Sequence, residues 1–329
     1  MNRRTFLCGL TLGALTAPRA AEAQQAQKVF RVAMLSAGGR TPDGAPPRPL
    51  RQALQGLGYV EGQNVTYEAR FAEGKTERLP GLAAELVRLK VDVIVAQGGP
   101  AAVAAKQATA TIPIITAPAE GDNVAVGLIA SLSRPGGNLT GLTDESVQLS
   151  SKRLEILKTA VPNASLIAVL WNENDQGMML RYREIERAAR LLKVEVQPLG
   201  VRRPDDFAGA FAAMTRRRPD AMFLVADALT MLNRKQVITF AATHRIPAMY
   251  EWSFIVRDDG GLMSYGPDFE ESFRQAAYYI DRILKGADPA ALPAEQPKRY
   301  DLAINLKTAK ALDLTIPQSL LQRADEVIQ

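Results

Sequence analysis

The sequence predicts an α/β protein built as two lobes, each around a parallel sheet, with a ligand cleft between them. Three observations carry that expectation. From Lys28 onward, short apolar segments alternate with longer amphipathic ones, the pattern of strands joined by crossover helices. The alternation stops near residue 143 and then begins again. The length, 329 residues, suits about two domains of roughly 150 residues, each large enough to bury its own core.

Taken in order, residues 29–35 form a strand that ends in the turn Ser36-Ala37-Gly38-Gly39. A helix follows near 50–57. Residues 64–71 alternate as an edge strand does, and a helix over 77–89 puts Leu82, Leu86 and Leu89 on one face. Val91-Asp92-Val93-Ile94-Val95-Ala96 is a buried parallel strand. It ends in Gln97-Gly98-Gly99-Pro100, which opens an alanine-rich helix. Residues 112–117 are the next strand, and Gly141-Leu142-Thr143 closes the first run. In the second run, helices at 147–160, 179–192, 205–216 and 233–244 alternate with strands at 166–171, 195–199, 221–226 and 247–251. Residues 260–266 add a strand that ends in a Gly-Pro turn. The tail holds a helix at 269–284, a strand at 300–304 and helical stretches at 306–312 and 318–324. A tail this long, after two finished runs, predicts that the chain crosses between the lobes more than once.

Composition removes many functions. The chain is 47% hydrophobic and 23% charged, which is globular rather than disordered. Forty Lys and Arg against 35 Asp and Glu give a formal charge of +5. The charges are interspersed, and Arg216-Arg217-Arg218 is the one tight basic run. It reads as a helix end rather than a nucleic-acid site. Cys8 and His244 are single, so an internal disulfide and a Cys/His zinc site are excluded. His244 reads as a cation at a helix C-terminus. No Gly-x-Gly-x-x-Gly follows the first strand, and Gly-x-x-x-x-Gly-Lys-Ser/Thr is absent throughout. No cofactor, no metal and no enzymatic activity are expected.

Residues 1–23 read as a signal peptide. Arg3-Arg4-Thr5-Phe6-Leu7 is the core of a twin-arginine signal, a weakly apolar stretch follows, and Ala21-Glu22-Ala23 fits signal peptidase cleavage after Ala23. Cys8 precedes nearly all of the apolar stretch, which rules out lipidation there. The mature chain would then lack cysteine, as suits an oxidising compartment. No later stretch is long and apolar enough to span a membrane, so direct membrane insertion is not expected.

Several longer stretches carry a resemblance. They are Gly58-Tyr59-Val60-Glu61-Gly62-Gln63-Asn64, the segment 79–95, Ala104-Ala105-Lys106-Gln107-Ala108-Thr109, Ala130-Ser131-Leu132-Ser133-Arg134-Pro135-Gly136-Gly137-Asn138 and Lys152-Arg153-Leu154-Glu155. Gly261-Leu262-Met263-Ser264-Tyr265-Gly266 and residues 304–312 complete the set. In this order, behind an export signal, they resemble the solute-binding proteins of ATP-binding-cassette (ABC) importers with the type I periplasmic-binding fold, in the subfamily similar to tryptophan/tyrosine-type receptors. The resemblance implies two Rossmann-like lobes closing on a small organic ligand, an aromatic amino acid or a related acid. It implies a periplasmic monomer whose partners are that ligand and an ABC permease with its cytoplasmic ATPase, with no nucleic acid. The same fold would equally serve a receptor that presents ligand to a membrane sensor or chemoreceptor. Lobe I is expected to comprise 28–143 plus 265–290, and lobe II 144–264 plus 291–329, with hinges near 142–146 and 264–267. Two positions depart from the family's habit: Asp122-Asn123 and Asn172-Glu173 stand where relatives often carry Asp-Pro and Asn-Pro.

In parallel α/β sheets, ligands sit beyond the carboxyl ends of the strands. In lobe I those ends are Ser36, Ala37 and Gly38, then Gln97, Gly98 and Gly99, then Thr116 and Ala117. In lobe II they are Asn172 and Asn174, then Asp227, then Tyr250 and Trp252. The Gly98-Gly99-Pro100 turn opens a helix whose free N–H groups and dipole favour a carboxylate, or it is simply a tight turn. Asp227 suits an ammonium group or caps the next helix. Tyr250 and Trp252 suit a planar ligand or pack between the lobes. The Pro- and Gly-rich stretch 41–49 is placed to form a rim.

Overall fold

The structure, a computed structural model, describes residues 28–118, 121–144 and 146–329. The export signal expected over residues 1–23, and Cys8 with it, lies outside them.

The first lobe runs β1 (Phe30–Ser36), α1 (Arg48–Gly56), β2 (Val65–Phe71), α2 (Leu79–Arg88), β3 (Val93–Gln97), α3 (Gly99–Ala108), β4 (Ile114–Thr116) and β5 (Leu139–Gly141). Its five strands are all parallel, in the order β2-β1-β3-β4-β5. Val32 to Ser36 and Val93 to Ala96 are buried on both faces, because helices cover both sides of the sheet. β2 lies at the edge, and its middle residues are only half-buried.

The second lobe runs α4 (Ser146–Ala160), β6 (Leu166–Asn172), α5 (Gln176–Leu191), β7 (Glu195–Val201), α6 (Asp206–Arg216), β8 (Ala221–Leu224), α7 (Ala228–Leu232), α8 (Arg234–Thr243), β9 (Ala248–Tyr250), α9 (Ser253–Arg257) and β10 (Met263–Gly266). The chain returns to lobe I as α10 (Phe269–Leu284) and ends in lobe II with β11 (Asp301–Asn305), α11 (Leu306–Ala311), α12 (Gln318–Leu321) and β12 (Glu326–Ile328). The seven strands lie in the order β12-β11-β10-β9-β8-β6-β7. Only the β10–β11 pairing is antiparallel.

α10 shows how the tail builds the first lobe. Asp268 caps its first turn by accepting the Glu271 N–H at 2.8 Å. Phe273, Ala276 and Ile280 recur at helical spacing and enter one core with Met34 and Val95 of the sheet and Leu50 and Leu54 of α1. The Tyr59 hydroxyl donates to buried Asp281 at 3.0 Å across the same seam. Truncating fully buried Phe273 to Ala should cost about 3–5 kcal/mol. The structure shifts the expected lobe boundaries. Tyr265 and Gly266, expected in lobe I, end a strand of the lobe II sheet. Leu292 and Ala294, expected in lobe II, are buried in lobe I cores.

The chain therefore crosses between the lobes three times: near Asp144, at Pro267, and over residues 296–300. The first and third crossings leave lobe I side by side, with Thr143 N–H donating to the Glu295 carbonyl and Glu295 N–H to the Gly141 carbonyl, each at 3.0 Å. A Cβ on Gly141, whose φ is +115°, would meet Thr116 backbone at 2.7 Å, so only glycine fits there. Among the described residues no helix is long and apolar enough to cross a membrane.

Candidate functional site

The carboxyl ends of both sheets face one another across the cleft. In lobe I the Ser36 hydroxyl donates to the Gln97 side-chain carbonyl and accepts the Gly38 N–H, both at 3.0 Å. This fixes the ends of β1 and β3 side by side. Gly98 has φ +89° and caps α3 with no side-chain partner. Pro100 lies in the first turn and brings no N–H of its own. The positive end of α3, with Gly98 and Gly99 at the chamber surface, is left for whatever enters the cleft.

The cleft holds two chambers. The first, about 340 Å³, has an apolar wall that includes Leu79, Val103, Val126 and Leu128 of lobe I. Gly98, Gly99 and Thr116 line it as well, and lobe II contributes Asn174, Asp175, Gln176 and Gly177. The second, about 350 Å³, lies between Gly38, Gly39, Arg40 and Gln97 of lobe I and Asp227, Leu232, Arg234 and Trp252 of lobe II. The two lobes touch at Leu232: a Cβ on Gly39 or on Gly74 would come within 2.9 Å of its δ carbons.

Of the residues expected from the sequence, Gly98, Gly99, Thr116 and Asn174 line the first chamber, and Gly38, Gln97, Asp227 and Trp252 line the second. Ser36, Ala37, Ala117 and Asn172 are buried just behind these surfaces. The Asn172 amide donates to Asp227 Oδ2 at 2.6 Å. Tyr250 departs from expectation: it is 1% exposed and lies in the lobe II core, its ring so close to Gly261 that a Cβ there would clash at 2.9 Å. Position 250 is the last of β9, and its side chain points to the sheet's covered face. Trp252 stands edge-on to Phe269 of α10, ring centres 5.1 Å apart, so it joins the lobes as well as lining a chamber.

Asp227 both caps α7 and faces the cleft. Oδ1 accepts the Thr230 N–H at 2.9 Å, and the Thr230 hydroxyl accepts the Asp227 N–H at 2.9 Å. Burial pushes its carboxyl above the usual range, against the opposing hydrogen bonds from Thr230 and Asn172. Asp175 is the residue that sequence reasoning missed. It caps α5, with Oδ1 accepting from Gly177 at 2.8 Å and Met178 at 3.3 Å. Burial, and then the charge of Asp227, push its carboxyl up. The Asp-Gln-Gly signature of a helix start after β6 was there to find it. Asn123, at one departure from the family's habit, is buried in the first chamber's wall, its amide donating to the Thr116 hydroxyl and the Leu142 carbonyl, each at 3.2 Å.

Behind Asp227 lies a buried ionic network. Glu251 pairs with Arg181 and accepts the Ala226 N–H at 2.8 Å. Arg181 Nη1 donates to the Ala226 carbonyl at 3.2 Å. Arg153 Nη1 lies 3.4 Å from Glu251 Oε2, and its Nε donates to the Tyr265 carbonyl at 2.6 Å. The N–H and the C=O of Ala226, the residue before Asp227, are thus both held by charged groups. His244 sits at the end of α8 with its ring 4.2 Å from that of Phe240, remote from either chamber. The Arg216-Arg217-Arg218 run ends α6; Arg217 pairs with Glu195, and Arg218 donates to the His244 and Arg245 carbonyls that close α8.

Comparison with known proteins fits this geometry. A protein named tyrosine-binding protein, from Clostridioides difficile strain R20291, is 29% identical over 264 residues, which is 80% of this chain and 75% of that one. A solved Streptococcus pneumoniae ABC domain in complex with L-Trp superposes with a TM-score of 0.82 at 25% identity, covering 92% of this chain and all of that one. A conserved domain protein from Vibrio cholerae superposes at 0.84, with 27% identity, 91% of this chain and all of that one. Residues 48–328 match the family described as ABC transporter substrate binding protein, and the chain belongs to that family.

Proposed function

We propose that this receptor works in the periplasm, where it captures an aromatic amino acid and delivers it to an ABC permease with its cytoplasmic ATPase. The features that support this most are a buried carboxylate, Asp227, in the second chamber and the uncapped N-terminus of α3 in the first, on opposite lobes. A zwitterion that spans the two satisfies both: its carboxylate meets the Gly99 N–H at the start of α3, and its ammonium meets Asp227. Beside that pair, the first chamber offers an apolar space of about 340 Å³, large enough for a phenol or indole ring. Gln97 and Trp252 line the second chamber with Asp227, and in the first Gly98 and Gly99 let the ligand approach the backbone closely. The names of the tyrosine-binding and Trp-bound relatives point the same way.

A thermal-shift panel of the mature protein tests the reading. L-tyrosine or L-tryptophan at 100 times its Kd should raise stability by about 2.7 kcal/mol, whereas aliphatic amino acids and sugars should leave the melting temperature unchanged. Stabilisation by a sugar and by no aromatic amino acid would overturn it.

A further inference from the structure

We propose that Asp175 is a second anchor for the ligand's cation, so that this receptor requires a protonated amine and refuses aromatic acids that lack one. The inference rests on the function proposed above and narrows it. Asp175 is 9% exposed and lines the first chamber. Its Oδ1 is committed to capping α5. Among the described residues its Oδ2 takes no hydrogen bond, and it lies 3.9 Å from where a Cβ on Gly99 would stand, directed at the opposite lobe.

The two acids hang from one residue. The Asn172 carbonyl accepts the Asp175 N–H at 3.4 Å, and the Asn172 amide donates to Asp227 Oδ2. Asp175 and Asp227 are therefore neighbours at the junction of the two chambers, one lining each. Burial raises the proton affinity of both, and the charge of Asp227 raises that of Asp175 further. Arg181, whose charge acts on Asp175 in the opposite sense, is already paired with Glu251. Among the described residues no lysine or arginine lines the first chamber. Two such carboxylates repel one another across little solvent, and a cation between them removes that cost. An ammonium with three donors suits the place. An aromatic acid without an amine would bring a third negative charge to the same junction.

Calorimetric titration with four probes tests this: L-tyrosine, tyramine, 3-(4-hydroxyphenyl)propionate and L-tryptophan. L-tyrosine and L-tryptophan should bind, tyramine should bind more weakly, and the propionate should bind about 30-fold or more weaker than L-tyrosine. Asp175→Asn keeps a good helix cap, so α5 should remain intact. In that variant L-tyrosine should lose about tenfold or more, while the propionate should improve or stay unchanged. The unliganded melting temperature of the variant separates lost folding from lost recognition. Equal binding of L-tyrosine and the propionate, or unchanged L-tyrosine affinity in folded Asp175→Asn, overturns this proposal and leaves the aromatic reading standing. Failure of all four probes to bind overturns both.

Discussion

Arg181 and Glu251 form an ion pair buried behind the cleft, and between them they hold the C=O and the N–H of Ala226, the residue before Asp227. Arg153 completes the arrangement: among the described residues neither η nitrogen is hydrogen-bonded, and the carboxylates of Glu251 and Asp144 oppose its charge. Burial, and then the charge of Arg181, push the Arg153 guanidinium below its ordinary proton affinity, and the charge of Glu251 is the largest influence against this. Glu251→Gln would keep the shape and remove the charge, leaving two buried guanidinium groups with Asp144 as the nearby carboxylate. The expected loss is about 3–5 kcal/mol in urea unfolding. A loss below about 1 kcal/mol would show that solvent or Asp144 already neutralises the arginines.

The buried acids give a second prediction. Asp144, Asp175 and Asp227 all have carboxyl groups raised from 3.8, in each case chiefly by burial. In the folded state they bind protons more readily than in the unfolded chain. Their contribution is therefore complete below about pH 4 and is lost as pH rises through their raised values. Asp220 works in the opposite sense: the Ser165 and Leu166 N–H groups lower it, and its contribution fades as pH falls below about 4. Through these three buried acids the unliganded receptor should lose stability as pH rises above about 4, and Asp227→Asn should flatten that slope. Denaturant midpoints across this range measure it, and a slope of opposite sign contradicts the assignment.

Much of this architecture is legible in the sequence because parallel strands buried on both faces read as continuous apolar runs. The runs before Ser36, Gln97, Asn172 and Asp227 all end at the cleft for that reason. The direction of a side chain at a strand's last residue is less legible, since one step of register reverses it. That is why Tyr250 lies in the core while Trp252, two residues on and past the strand's end, reaches a chamber. Asp175 was hidden because a helix cap and a ligand anchor use the same residue type. The short elements α7, α9 and β12 carry too few residues for a periodic signal.

The first residues carry the proposal of export. If Arg3-Arg4 directs the twin-arginine route, Arg3→Lys with Arg4→Lys should abolish accumulation of mature protein in the periplasmic fraction. Normal accumulation of the double variant would assign export to the general secretory route instead.

Closure of the cleft has a specific mechanical contact. Leu232 is the last residue of α7, the helix that Asp227 caps, and it rests on Gly39 and Gly74 of the opposite lobe. Glycine at these two places leaves room for the δ carbons to seat. Gly39→Ala would place a Cβ at 2.9 Å from Leu232 Cδ2, which a small rotation of that flexible side chain relieves, so it should be nearly neutral. Gly39→Phe adds a ring that no rotation accommodates and should hold the lobes apart. Ligand on the α3 N-terminus would then fail to reach Asp227. The lost charge-assisted contact should weaken binding of a zwitterionic ligand by at least about tenfold. The unliganded melting temperature should change little, because Gly39 is exposed at the cleft surface. Small-angle scattering supplies the second reading. The radius of gyration of the parent protein should fall when ligand saturates it, as two lobes close about three crossovers. In Gly39→Phe the fall should be smaller or absent. Full closure and unchanged affinity in Gly39→Phe would remove the Leu232 contact from the closing motion.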